Sequence, residues 1–377
     1  MERYTAIFMG TIIYKAKLEI RGYKYMENKQ YVPPKVHYQY LDIARGIGIL
    51  LVMISHAHGL SGYLINYYIP IFFIISGFTY HSGNSYGQNI KKKAKRLLIP
   101  YFSYSVMLVF VYILMGRSMQ ETKFSLLGVL YSRFCLYDMS THSSNVFLFT
   151  VANGAMWYLT AFFVTSLVFY AVADFALTNR KNIVIVLTIL TVFTMTLAEL
   201  PILLPWSIDI AGVGTIFMLV GKMLADSNVY EKKAKAWMVL GAFGLYMVLS
   251  YLNPGINMSV REYGIYQRWS VPIFIVIGIT GSMLCIWFAQ LIQNTTIGKM
   301  IGYIGENTII LLAFHILGLE IFEKIALKFI NVQGLTGGRE FAYVVVRVGI
   351  SVCGCLVFGR IMTLLKQRMM ATVKRNQ

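Results

Sequence analysis

The chain has 377 residues, of which 57% are hydrophobic and 13% charged, whereas a soluble domain carries about a quarter charged residues. So apolar a chain would expose too much hydrocarbon in water, which excludes an ordinary soluble domain and makes lipid its solvent. The formal charge of +18 could suggest nucleic acid, but the basic residues lie between apolar segments, so they read as topology control with attraction to membrane lipid, and no nucleic-acid partner is expected.

The opening stretch, MERYTAIFMGTIIYKAKLEIRGYKY, is short of apolar length and carries Lys15, Lys17, Arg21 and Lys24. It does not read as a secretory signal peptide. Met26 begins a polar leader, MENKQ, so residues 1–25 are expected to be an over-extended start within a basic cytoplasmic leader at 1–40. Apolar runs follow at 43–60, 63–80, 97–116, 156–176, 183–199, 207–224, 236–252, 270–292, 308–323 and 341–364. They predict an all-α integral membrane fold of about ten transmembrane helices in one domain at 41–366, with a cytoplasmic tail at 367–377.

The links between runs follow the positive-inside rule when both termini are cytoplasmic. Inner segments then hold Lys24, Lys29 and Lys35; Lys91, Lys92, Lys93, Lys95 and Arg96; Arg180 and Lys181; Lys232, Lys233 and Lys235; Lys299; and Lys366, Arg368, Lys374 and Arg375. Outer segments hold scattered basics: Arg117, Lys123, Arg133, Arg261, Arg268 and Arg339. Localisation in a cell membrane, as a multi-pass protein, follows. The longest outer link, 117–155, contains FSLLGVLYSRF, which reads as an interfacial helix or a short re-entrant segment. No internal repeat is visible. Cys135, Cys285, Cys353 and Cys355 form no CxxC pair, so neither a disulfide framework nor a metal site is indicated.

Ionisable residues inside apolar spans are functional candidates by default. The first span, LDIARGIGILLVMISHAH, is richest in them. Asp42 and Arg45 share a helix face, and His56, eleven residues after Arg45, returns within about 20° of three whole turns. Asp42, Arg45 and His56 thus form one polar stripe, with His56 roughly 16 Å deeper than Arg45. A structural histidine bonded to a neighbouring helix is the alternative for His56; the aligned Arg and Asp favour function. His58 points to nearly the opposite side, so a His56–His58 metal pair on a regular helix is not expected.

Further along, Ser76–Gly77 in IPIFFIISGF interrupts an apolar helix after Pro70, either as a packing patch or beside a cavity. The cluster KKKAKRLLIPYF reads as a topology anchor at the inner face or as a dock for a phosphorylated cytoplasmic donor; residue type alone favours the anchor. Arg96, four residues before Pro100, is the member suited to a bidentate phosphate contact, with Lys93 beside it. Trp157 marks the outer edge of the fourth span in NGAMWYLTAFF. In IGENTIILLAFH, Glu306 lies at the inner edge and His315 near mid-membrane, nearly aligned with Thr308.

At these residues the chain resembles the acyltransferase family 3 membrane enzymes, nearest the branches of fucose-4-O-acetylase-like and enterobacterial common antigen acetyltransferases. The matching pieces, in order, are Arg45 with His56 behind Asp42 in LDIARG, then IFFIISGF, KRLLIPYF, AMWYLTAFF and IGENTIILLAFH. The resemblance implies ten membrane helices in a bacterial plasma membrane and a cytoplasmic acyl-CoA donor, usually acetyl-CoA, with no bound cofactor. It implies a glycan or lipid-linked sugar as acceptor. His56 and Arg45 would be essential, and Arg96 would engage the donor. With Asp42 these make the expected catalytic set; Arg96, Lys93, Ser76, Trp157, Glu306 and His315 make the expected substrate- and donor-binding set. His56 is the member of the stripe that can take a proton near neutral pH. Two competing classes are a proton-coupled transporter or sugar-lipid flippase and a non-catalytic envelope scaffold. The missing repeat counts against transport.

Overall fold

A computed structural model describes residues 37–58, 66–81, 83–137, 148, 151–227, 234–253, 257–258 and 267–375. The expected over-extended start at 1–25 lies outside them, as does the His58 side chain. Residues from Gln39 onward form one unit of packed helices. In chain order they are α1 Gln39–His58, α2 Pro70–Phe78, α3 Tyr86–Leu114, α4 Met119–Tyr131, α5 Trp157–Ala176 and α6 Arg180–Ala198. Then follow α7 Ala211–Asp226, α8 Ala236–Leu252, α9 Ser270–Ile292, α10 Thr296–Glu306, α11 Thr308–Ala326 and α12 Gly338–Arg375. Short 3-10 turns precede α5, α7 and α9. Among the described residues there is no strand, only an isolated bridge between Tyr137 and Ile202. The protein is an all-α integral membrane protein.

Each expected apolar run carries a helix. Among the described residues, seven helices are long and apolar enough to cross a membrane. Three runs fall short of that standard for different reasons. α2 has nine residues, starting at Pro70, whose fixed φ suits the first helical turn; it rises only about 14 Å. α8 is apolar but has 17 residues. α11 has 19 residues but carries Glu320, Glu323 and Lys324 in its second half. Of FSLLGVLYSRF, Phe124 to Tyr131 complete α4, a helix capped at its start by a reciprocal Ser118–Glu121 box and ended by Ser132 in the left-handed region. The backbone N–H and Oγ of Ser118, with Arg117, hold the Glu121 carboxyl below the usual carboxylate range.

The core is built around α7, buried at every residue from Ala211 to Leu219 and packed on α2, α5, α6 and α9. Outward faces are apolar, as on α6 (Val184, Ile189, Val192) and α8 (Trp237, Leu240). In water such faces would be unstable; against lipid they are solvated. α12 does not stop near 364, where the apolar run ends, but continues to Arg375. No Gly or Pro follows Gly359, so nothing in the sequence breaks it. Its 38 residues rise about 57 Å, well beyond a hydrocarbon core of about 30 Å.

Candidate active site

The site begins with α1 and α10. Gly46 and Gly305 lack side chains where the two helices cross. A Cβ on Gly305 would lie 1.8 Å from the Asp42 carbonyl oxygen, and one on Gly46 would lie 2.1 Å from that of Ile301. Backbone therefore rests on backbone, and α10 delivers Glu306 beside the first turn of α1. There Arg45 donates from its guanidinium to Asp42 one turn earlier. The pair is unequal: the Asp42 side chain is 7% exposed and that of Arg45 27%. The carboxylate is sealed in the helix contact, and the guanidinium emerges from it.

α2 and α3 supply the facing wall. Ser76 and Gly77, adjacent in sequence, point opposite ways. Gly77 packs against the Met218 carbonyl of α7, where a Cβ would come within 1.8 Å. Ser76 accepts a hydrogen bond from Lys93 Nζ at 3.0 Å. The same ammonium lies 4.5 Å from the centre of the Phe162 ring on α5, a cation–π contact. Pro100, inside α3, has no N–H to give to the carbonyl of Arg96 one turn earlier. That opens the helix ladder beside Arg96.

These elements enclose a cavity of about 1850 Å³. Single small-molecule sites occupy roughly 300–1,000 Å³, so this one has room for two substrates together. Asp42, Arg45, His56, Ser76, Lys93, Arg96, Trp157 and Glu306 all line it. Of the sequence-derived candidates only His315 is off the wall; it is buried behind it, its ring centre 5.2 Å from that of His56.

The cavity is polarised along its length. Arg45, Lys93 and Arg96 are near enough to repel one another, and Lys366 from α12 joins them on the wall. Four cations thus face two carboxylates, Asp42 and Glu306. Low-dielectric walls focus that excess, favouring a polyanion. Roughly 16 Å further along α1, His56 shares the cavity with Phe134, Trp157 and Asn257. These belong to, or border, links expected on the outer side.

Several charged residues of the interior are not ones the sequence singles out. Lys366, by sequence an inner-face basic residue, reaches the cavity because α12 stays helical past the apolar run, as the absence of a breaker allows. Arg133, taken as a scattered outer basic residue, is buried, pairs with Asp209, donates Nε to the Leu204 carbonyl at 3.2 Å and lies 5.9 Å from the Trp157 ring centre. Arg347 on α12 reaches α1 and α11. Asp209 and Arg347 both lie inside apolar runs, the signal that identified Arg45 and His56.

Comparison with curated proteins and with solved structures gave no match. The acyltransferase family 3 model, described as an acyltransferase domain, matches residues 38–360, and the chain belongs to that family.

Proposed function

We propose that this membrane acyltransferase moves an acyl group, acetyl in the first instance, from acyl-CoA to a hydroxyl of a cell-surface polysaccharide or lipid-linked sugar, working in a bacterial plasma membrane. One observation carries the reading: a single cavity joins a cluster of cations to His56. The donor's phosphates suit Arg45, Lys93, Arg96 and Lys366, with Asp42 orienting Arg45. Roughly 16 Å separates Arg45 from His56 along α1, so both cannot act on one reacting atom. An extended pantetheine arm bridges such a gap and brings its thioester to His56. Arg45 is therefore a phosphate ligand in this reading, not an oxyanion donor.

The chemistry then runs at the imidazole end. A bare ring nitrogen of His56 takes the proton of the acceptor hydroxyl as its oxygen attacks the thioester carbonyl. The tetrahedral intermediate collapses, the C–S bond breaks, and the departing thiolate recovers the proton from His56. Trp157 offers an apolar face against which a sugar ring can lie. Glu306, exposed within the cavity, limits the positive potential there.

The test is transfer of label from radioactive acetyl-CoA to the source cell's glycan fraction by purified protein in liposomes. Wild type gives labelled glycan, and His56→Ala abolishes it with membrane protein level unchanged. Full activity in that variant removes His56 as the base. Gradient-driven sugar uptake without labelled product would instead favour transport.

A further inference from the structure

His315 is a buried titratable group that this scheme leaves idle. It lies on α11 with no exposed surface, and it does not line the cavity, so it is not placed to hold the donor. Its Nδ1 is 2.9 Å from the Leu311 carbonyl oxygen and 3.0 Å from that of Leu312. Carbonyl oxygens only accept, so Nδ1 carries the hydrogen and donates to them. In the neutral ring Nε2 is then a lone-pair acceptor. That nitrogen is shut off from solvent and has no hydrogen-bond partner among the described residues.

A buried acceptor calls for a donor, and the ring in contact with that of His315 is the His56 imidazole. The two ring centres are 5.2 Å apart with their planes at 49°. At that separation two imidazole nitrogens turned toward each other meet at hydrogen-bond distance. His56 also lines the cavity.

We propose that His56 donates one ring N–H to Nε2 of His315, and that His315 is the positioning residue that fixes the tautomer and orientation of His56. The inference deepens the reading of His56 as base and rests on it for its catalytic consequence. A base must present a bare nitrogen to the acceptor hydroxyl. A neutral imidazole without a partner divides its proton between two nitrogens and presents the wrong one part of the time. With one N–H committed to His315, the nitrogen facing the cavity stays bare. The Leu311 and Leu312 carbonyls, gripping the far side of the His315 ring, pass the rigidity of α11 to the pair. Orienting partners of this kind fix the tautomer of working histidines elsewhere.

The decisive measurement is nitrogen NMR of the full chain in nanodiscs with labelled histidine, His56 being assigned from its loss in His56→Ala. In wild type the two His56 nitrogens give separate protonated and bare signals. In His315→Leu they move together toward an average, and kcat for acetyl transfer falls about 100-fold with KM for acetyl-CoA unchanged. His315→Gln, whose side-chain carbonyl can accept where Nε2 does, restores separate signals and brings kcat within about tenfold of wild type. Unchanged His56 signals in His315→Leu overturn the pairing. If that variant does not fold, averaged signals in His315→Gln overturn it and separate ones support it. If His56→Ala keeps full activity while the signals still couple, the pairing stands and the reading of His56 as base falls.

Discussion

Arg347 donates from its guanidinium to the carbonyl oxygen of Ala57 at 2.8 Å, one residue beyond His56, and so ties the end of α1 to α12. The same group donates Nε to the Leu319 carbonyl of α11 at 3.3 Å and pairs with Glu323 at 2.5 Å. One buried cation thus holds the ends of the two helices that carry His56 and His315. Its planar fork satisfies three acceptors in different directions, which an ammonium does less well.

Replacing Arg347 should therefore hurt stability and activity together. Arg347→Met leaves two backbone carbonyls and a half-exposed Glu323 without their donor; the loss is about 3 kcal/mol, since hydrogen bonds to charged groups contribute about 1.5–3 kcal/mol each and are not additive. Thermal unfolding in detergent should show a lower midpoint. Arg347→Lys should recover less than half of that loss. Full recovery by lysine would mean that charge alone, not the fork, holds the helix ends.

The cation cluster makes a kinetic prediction. Arg96→Ala should raise KM for the acyl-CoA donor about tenfold, the equivalent of one charge-assisted contact, and leave kcat nearly unchanged. Lys93→Ala should act in the same direction and also free Ser76, its partner at 3.0 Å. Both wild-type KM and the size of these effects should depend on ionic strength, because exposed cations are screened. Initial rates against donor concentration at two salt levels separate this from an anchoring role, which would lower membrane insertion and leave KM alone.

The polar stripe of α1 was legible because helical periodicity is local: Asp42, Arg45 and His56 needed only 3.6 residues per turn to be aligned. The all-α membrane class was legible from composition for the same reason. What lies opposite the stripe was not. Gly305 reads as one glycine among 31 until α10 is seen resting on the Asp42 carbonyl. His315 is visible as an intramembrane histidine, but that α11 brings its ring against that of His56 is a fact of tertiary packing. Lys366 was hidden by ending a helix where hydropathy falls, although helices end at breakers and caps rather than at polarity. In the same way the sequence shows Arg133 only as a scattered outer basic residue in a part-apolar link, because its buried partner Asp209 lies 76 positions along the chain.

Backbone contact at the site gives a packing prediction with an internal control. Gly305→Ala puts a Cβ 1.8 Å from the Asp42 carbonyl oxygen, a backbone atom that cannot rotate away. α10 must shift off α1, at a cost of about 1–3 kcal/mol or more, and the Asp42–Arg45 pair shifts with it. Folded yield and unfolding midpoint should both drop. Gly349→Ala on α12 meets nothing within 4 Å and gains helix propensity of up to about 1 kcal/mol, so it should be neutral or stabilising. Equal behaviour of the two variants would disprove the close crossing.

The Arg133–Asp209 pair links stability to the aromatic end of the cavity. Their side chains are 6% and 0% exposed, so removing one partner leaves a charge in a poorly solvated place. Asp209→Asn or Arg133→Met alone should cost about 3–5 kcal/mol, whereas the double replacement by apolar residues of similar volume should recover most of the loss. Function should not recover in parallel. Arg133 lies 5.9 Å from the ring centre of Trp157, and Trp157 lines the same cavity as His56. With the guanidinium gone, the indole loses its support even when the fold is restored. The double variant should therefore unfold near the wild-type temperature yet show a raised KM for the glycan acceptor, with KM for the acyl-CoA donor unchanged. A double variant with wild-type acceptor KM would confine the pair to a structural role and leave Trp157 held by other contacts.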